Sequence, residues 1–248
     1  SDDTVALIQK EFPAVKIITN KANKGFAVAN NAAVAMTKGT FLLFLNPDMK
    51  LQPWSLQTMV KWMENHRDIG IASCKLVKED GAVNLEATPR QFPTLRDQLA
   101  LILKIHHLFP KVLDHYLMRD FDPKKEQEVD SVRGSFMLMR REVVEKLGFA
   151  FDPRYFIWFE DVDICREVKR LGLKVVYTPI ISAVDYIGQS FKKRDTVWKQ
   201  KQFTKSMVRY FQKWEPWYIW MWIVFCRPMG IGLTWLGGMR KSRVSNKL

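Results

Sequence analysis

Phe41-Leu42-Leu43-Phe44-Leu45 is an unbroken apolar run, ended abruptly by Asn46-Pro47-Asp48. Five such residues are too short for a buried helix and show no alternation. They predict a strand covered on both faces, as in a parallel sheet flanked by helices. The neighbouring segments agree. Upstream, 3–12 predicts a helix, 15–18 a short strand and 26–36 an Ala-rich helix. Downstream, Pro53 opens a helix running to about His66, Ile69–Val77 predicts a strand, and Glu79-Asp80-Gly81 a turn. A less regular stretch, 89–130, holds one predicted helix over 94–117. Alternation then resumes with strand 131–139, helix 140–147, an aromatic loop, helix 160–171 and strand 173–177. The pattern is that of an α/β fold with a mostly parallel sheet. It opens on a helix rather than a strand, which suggests a start short by one or more βα units.

Charge divides the chain. The formal net charge is +13, yet residues 192–248 carry thirteen Lys/Arg against only Asp195 and Glu215, together with six of the nine tryptophans. The expected organisation is a near-neutral α/β body, 1–191, and a basic, Trp-rich helical tail, 192–248, joined through a helix over 195–213. Residues 217–226 are apolar all round, Arg227-Pro228 interrupts them, and 229–236 resumes. A full span needs about 20 apolar residues, and Arg227 near the midpoint would cost roughly 2.5–3.5 kcal/mol. In-plane or re-entrant attachment to an anionic membrane surface, peripheral or monotopic, is therefore expected. The alternative is a helix packed on the body or on a second subunit. Continuous apolar runs do not suit a nucleic-acid binder. Three cysteines without CxxC spacing argue against a disulfide framework or a structural zinc site.

Several short segments could carry chemistry, and each has an ordinary structural explanation beside it. Asp48 follows the apolar strand, where ligands of open α/β sheets gather; Asn-Pro-Asp is also a common turn. Glu160-Asp161-Val162-Asp163 opens a helix after Phe156-Ile157-Trp158-Phe159. A carboxylate against aromatic walls gains proton affinity and suits general-base work, while acids in a first turn also act as simple caps. Asn23-Lys24-Gly25-Phe26 leads into a helix whose free N–H groups could take an anion, or is a plain loop. Gly134 in Arg133-Gly134-Ser135-Phe136 allows close backbone approach of a ligand or marks a bulge. The run 189–194, with Lys192, Lys193 and Arg194, could fold over a diphosphate or remain a solvated charge run. The four histidines lack metal-ligand spacing.

Taken in order, Asn-Lys-Gly-Phe…Asn-Asn (23–31), Phe-Leu-Asn-Pro-Asp (44–48), Gly-Ser-Phe-Met-Leu-Met-Arg-Arg (134–141) and Phe-Asp…Tyr-Phe…Phe-Glu-Asp-Val-Asp (151–163) resemble family 2 glycosyltransferases, most closely the rhamnosyltransferase-type branch. The resemblance covers about residues 1–191. It implies a GT-A fold, a nucleotide-diphosphate sugar donor, a divalent metal (Mg²⁺ or Mn²⁺) and an inverting single displacement. Asp48 matches the last acid of the family's metal motif, with Asn46 in place of the first. Asp161 matches the catalytic base, with Glu160 beside it. Asn23, Gly25 and Asn31 match the donor-side loop, Gly134 lies on the donor side, and Lys193 and Arg194 would close over the diphosphate. Where relatives often carry a histidine, this chain has Tyr186, and Asp185 next to it becomes the second metal-ligand candidate. Glu167 also stands where an arginine is common, with Arg166 one place earlier. A membrane-held transferase would suit a saccharide or polyprenyl-diphosphate-linked acceptor at the cytoplasmic face of the cell membrane, in cell-surface polysaccharide synthesis. The competing expectation is a non-catalytic peripheral membrane module with a degenerate transferase body.

Overall fold

The computed structural model describes residues 3–186 and 195–245. Helices α1 (Thr4–Glu11) and α2 (Phe26–Val34) lead into β1 (Phe41–Leu45) and β2 (Met49–Leu51). Next come α3 (Ser55–Asn65), β3 (Ile69–Val77), α4 (Leu95–Ile102), β4 (Gln127–Glu128), β5 (Phe136–Arg140) and α5 (Arg141–Leu147). The chain continues through α6 (Glu160–Arg170) and β6 (Lys174–Asp185) to α7 (Thr196–Trp214) and α8 (Trp217–Ser245). Six strands form one sheet in the order β1-β5-β3-β6-β2, with β4 also paired to β6.

β1 is covered on both faces, as its composition predicts. Leu42 and Phe44 enter the core formed with α2, α5 and α6, while Phe41 and Leu43 pack on the opposite core with Met59 and Met63 of α3. The strand directions differ from expectation. Only β3 and β6 run parallel; β1–β5, β3–β5, β2–β6 and β4–β6 are antiparallel. The sheet is mixed rather than mostly parallel, because an unbroken apolar run reports burial on both faces and carries no information about direction.

Other local expectations also shift. Residues 15–18 form no strand; Val15 and Ile18 are exposed, and α1 buries nothing against the sheet. The helix expected over 94–117 stops at Ile102. Thr94 and Asp97 close a capping box at its start, but Lys104 takes φ = 60° and Pro110 opens a separate 3₁₀ turn. β6 extends eight residues beyond the predicted strand, to Asp185. Pro228, expected to break the tail, lies inside a continuous α8. Contacts on both sides hold that helix through the proline. Arg227 Nε donates to Thr204 Oγ1 of α7 at 3.1 Å, and Gly230 lies so close to Ile102 of α4 that a Cβ would come within 2.6 Å of its side chain.

A third core joins α7 and α8 to α4 and to the aromatic loop before α6, through Ile102, Tyr155, Phe159, Met207, Tyr210, Phe211, Ile223 and Cys226. The outer side of α8 is exposed and apolar, including Trp217, Trp222, Phe225, Leu233 and Trp235. Trp217–Gly238 is long and apolar enough to cross a membrane, with mean hydropathy 1.3.

Candidate active site

A cleft of about 580 Å³ opens beyond the carboxyl end of β1. The turn 46–48 forms one wall: the Asn46 N–H donates to Ser135 O at 2.9 Å, and the Met49 N–H closes back onto Asn46 O at 3.2 Å. Pairing of β2 with the end of β6 places Met49 opposite Asp185, and the Tyr186 N–H donates to Asp48 O at 3.1 Å. Asp48 and Asp185, distant in sequence, therefore meet on one edge of the cleft. Asn84, buried after β3, donates from Nδ2 to Asp185 Oδ2 at 3.2 Å and fixes its orientation.

The facing wall is the first turn of α6. Asp161 Oδ2 accepts from the Gly134 N–H at 3.3 Å. Gly134 packs directly on Asp161, with a Cβ there lying 3.6 Å from that of Asp161. Glu160 is buried, and its Oε2 has no hydrogen-bond partner among the described residues. Burial, reinforced by the neighbouring Asp161 charge, pushes the Glu160 carboxyl up to about 8.

The turn that aims this pair is strained and externally held. Trp158 and Phe159 both adopt left-handed φ, 64° and 70°, a conformation costing roughly 1–3 kcal/mol per non-glycine residue unless its surroundings enforce it. α7 provides that enforcement. Ser206 Oγ donates to Ile157 O at 2.7 Å, Arg209 donates to Arg154 O, and the Phe159 ring packs between Phe203 and Tyr210, each 5.4 Å away. Behind the turn, Lys213 of α7 bonds Asp163 at 2.7 Å and Glu167 at 2.8 Å and reaches Asp152 at 3.4 Å. Asp163 is thus occupied in packing α6 onto α7.

Of the residues singled out from the sequence, Asn46, Asp48, Gly134, Glu160, Asp161 and Asp185 all line the cleft. Asn23, Gly25 and Asn31 do not. The Asn23 carboxamide accepts from the Gly25 N–H at 3.0 Å. Gly25, at φ = 87°, sits where any Cβ would meet Phe156 O at 2.3 Å, so its glycine is required by backbone packing. Asn31 spends its amide on Ala150 and Phe151, tying α2 to the loop before α6. Its neighbour Asn30 faces the cleft instead. Lys193 and Arg194 lie outside the described residues. Sequence reasoning missed Asn84, because nothing local marks a loop asparagine as cleft-lining, and it named Trp158 only within the aromatic wall before the acidic turn. Arg133 carried one usable signal, its position beside Gly134.

Among the described residues no group of three or more His, Cys, Asp or Glu side chains is arranged to hold a metal. The Asp48–Asp185 pair still fits a hard divalent cation, which needs only one or two protein carboxylates when substrate phosphates and water complete its shell.

The glycosyl transferase family 2 model matches residues 1–148. The chain belongs to that family. Family 2 relatives include rhamnosyltransferase WbbL of Escherichia coli, 29% identical over 196 residues, covering 75% of this chain and 70% of that one. Another is the N-acetylglucosaminyl-diphospho-decaprenol L-rhamnosyltransferase of Mycobacterium tuberculosis, 26% identical over 202 residues, covering 77% of this chain and 64% of that one. In fold, the chain is similar to the Pyrobaculum calidifontis mannosyltransferase solved with GDP-Man and Mn²⁺. The TM-score is 0.54 at 16% identity, over 94% of this chain and 61% of that one. The α/β fold is of the GT-A type.

Proposed function

We propose that the protein is a metal-dependent inverting transferase. It moves a sugar, rhamnose-like, from a nucleotide-diphosphate donor to a hydroxyl of a saccharide or lipid-linked acceptor in cell-surface polysaccharide synthesis. The observation that carries this reading is the pairing of two acidic walls across one cleft, Asp48 with Asp185 on one side and Glu160 with Asp161 on the other. The names of the E. coli and mycobacterial relatives support the sugar, and that of the mycobacterial one supports a polyprenyl-diphosphate acceptor.

Asp48 and Asp185 would hold a Mg²⁺ or Mn²⁺ ion, which when bound supplies Lewis-acid stabilisation to the departing phosphate oxygens. Asp161 takes the proton of the attacking acceptor hydroxyl. Glu160 cannot share that role at neutral pH: raised to about 8, it keeps its own proton. The Gly134 N–H orients Asp161, and Trp158 narrows the cleft and limits water. Lys193 and Arg194 are assigned to the donor diphosphate by family resemblance. The exposed apolar side of α8, with its Trp and Tyr and the basic residues of the tail, rests on an anionic membrane surface at the cytoplasmic face.

Two variants test the reading. Asp161→Asn abolishes transfer while donor affinity persists, whereas Asp48→Ala weakens metal-dependent donor binding. Near-normal turnover of Asp161→Asn overturns the assignment of the base. Co-flotation with anionic liposomes that is lost on neutral ones supports the membrane placement, and absence of flotation overturns it.

A further inference from the structure

Arg133 and Arg90 converge on one backbone oxygen. Arg133 Nη2 donates to Glu86 O at 2.6 Å and Arg90 Nη2 to the same atom at 2.9 Å. Arg90 is further fixed by Nη1 contacts to Thr88 Oγ1 at 3.1 Å, Leu117 O at 3.4 Å and Pro89 O at 3.5 Å. Every one of these acceptors is neutral. Among the described residues neither guanidinium has a carboxylate within ion-pair distance, whereas Arg154, Arg166 and Arg170 each have one. The Glu86 side chain itself is exposed and stays beyond that distance. Burial and the adjacent Arg133 charge lower Arg90 to about 10. Two like charges held together with no carboxylate in ion-pair contact, the exposed Glu86 acting on Arg90 only from farther away, are stabilised by a bound anion.

Position identifies the anion. Arg133 lines the cleft beside Gly134, whose N–H holds Asp161, so its guanidinium lies on the side where an acceptor hydroxyl must sit. Arg90 belongs to the segment that runs into α4, the helix whose Ile102 packs against Gly230 of α8. Beyond α4, Leu108 and Phe109 are exposed, 78% and 65%. Arg133 thus adjoins the acidic cleft, and Arg90 lies on the segment leading into α4, the helix against which α8 packs.

The geometry points to Arg133, backed by the half-buried Arg90, as the binding site for the diphosphate ester of a lipid-linked acceptor, whose saccharide reaches Asp161 while its chain lies along the apolar surface. This rests on the transferase reading for the identity of the ligand. The donor diphosphate, the other source of the same chemistry, has the Asp48–Asp185 edge available to it.

Arg133 is exposed, so Arg133→Gln is expected to fold. Inorganic pyrophosphate, titrated calorimetrically in EDTA so that no metal can recruit it, should bind the wild type and bind Arg133→Gln about tenfold more weakly, the loss of one charge-assisted contact. No binding, or equal binding, overturns the site. In transfer assays with a common donor, the preference for a polyprenyl-diphosphate-linked saccharide over its neutral alkyl glycoside should fall about tenfold in Arg133→Gln and be partly restored in Arg133→Lys. An unaltered preference, or a rise in donor KM equal to that for acceptor, overturns the acceptor assignment. Failure of wild type to transfer to either acceptor would refute the transferase reading, and the pyrophosphate titration would still decide the site.

Discussion

The first turn of α6 presents two buried acids to two different surroundings. On the side facing α7, Asp163 accepts from Lys213 at 2.7 Å, the Trp214 indole at 2.7 Å and the Tyr155 hydroxyl at 3.2 Å. On the side facing the cleft, three residues earlier, Glu160 is equally enclosed but leaves Oε2 unmatched. Both carry a desolvation cost. One meets it with three donors, although burial still raises its proton affinity; the other, with Oε2 unmatched, has its carboxyl pushed up to about 8. The saturated acid fastens two helices together, whereas the unmatched one lines the cleft.

That contrast can be tested from both sides. The largest effect belongs to the cleft: Asp161→Asn should lower kcat by about 10²–10⁴-fold, the usual contribution of a positioned base, with donor affinity measured calorimetrically retained. On the α7 side, Lys213→Met leaves the enclosed Asp163 without a cation, while Asp152 and Glu167 keep Arg154 and Arg170, and should destabilise the fold by about 3–5 kcal/mol in denaturant titration. A variant as stable as wild type would show that these acids are not structurally distinct from Glu160. Glu160→Gln, a mimic of the protonated form, should alter pH dependence more than stability at neutral pH. A carboxyl raised from 4.5 to about 8 on folding contributes stability that is complete below 4.5 and is lost as pH climbs through about 8. Wild-type stability should therefore decline across that window and Glu160→Gln should flatten the decline, as followed by melting temperature in a buffer series. The smallest effect is Ser206→Ala, which removes the hydrogen bond to Ile157 O and should cost about 0.5–1.5 kcal/mol. It should also lower kcat if the strained turn depends on α7.

Local composition revealed the parts of the site that local composition creates. An apolar strand followed by Asn-Pro-Asp, and an acidic first turn after four apolar residues, each carry their own signature, and both reached the cleft. What stayed hidden depends on pairing between distant segments. The antiparallel insertion of β5 between β1 and β3, and the long return of β6 that brings Asp185 to Asp48, are decided by which strands meet. Asn31 illustrates the same limit within one helix turn, because only the position of the 150–151 loop turns it away and gives Asn30 the cleft. The continuity of α8 through Pro228 likewise depends on Thr204 and Ile102, neither of which is near it in sequence.

A greasy carboxyl terminus invites removal to improve expression. Here such pruning would be misplaced. The sticky helix α8 packs in one core with α7, and α7 buttresses the left-handed pair at Trp158 and Phe159, so a version shortened through both helices would release the very loop that aims the acids. Replacing only the outward aromatics of α8, such as Trp222 and Phe225, keeps the buttress intact and is the sounder route to a well-behaved enzyme.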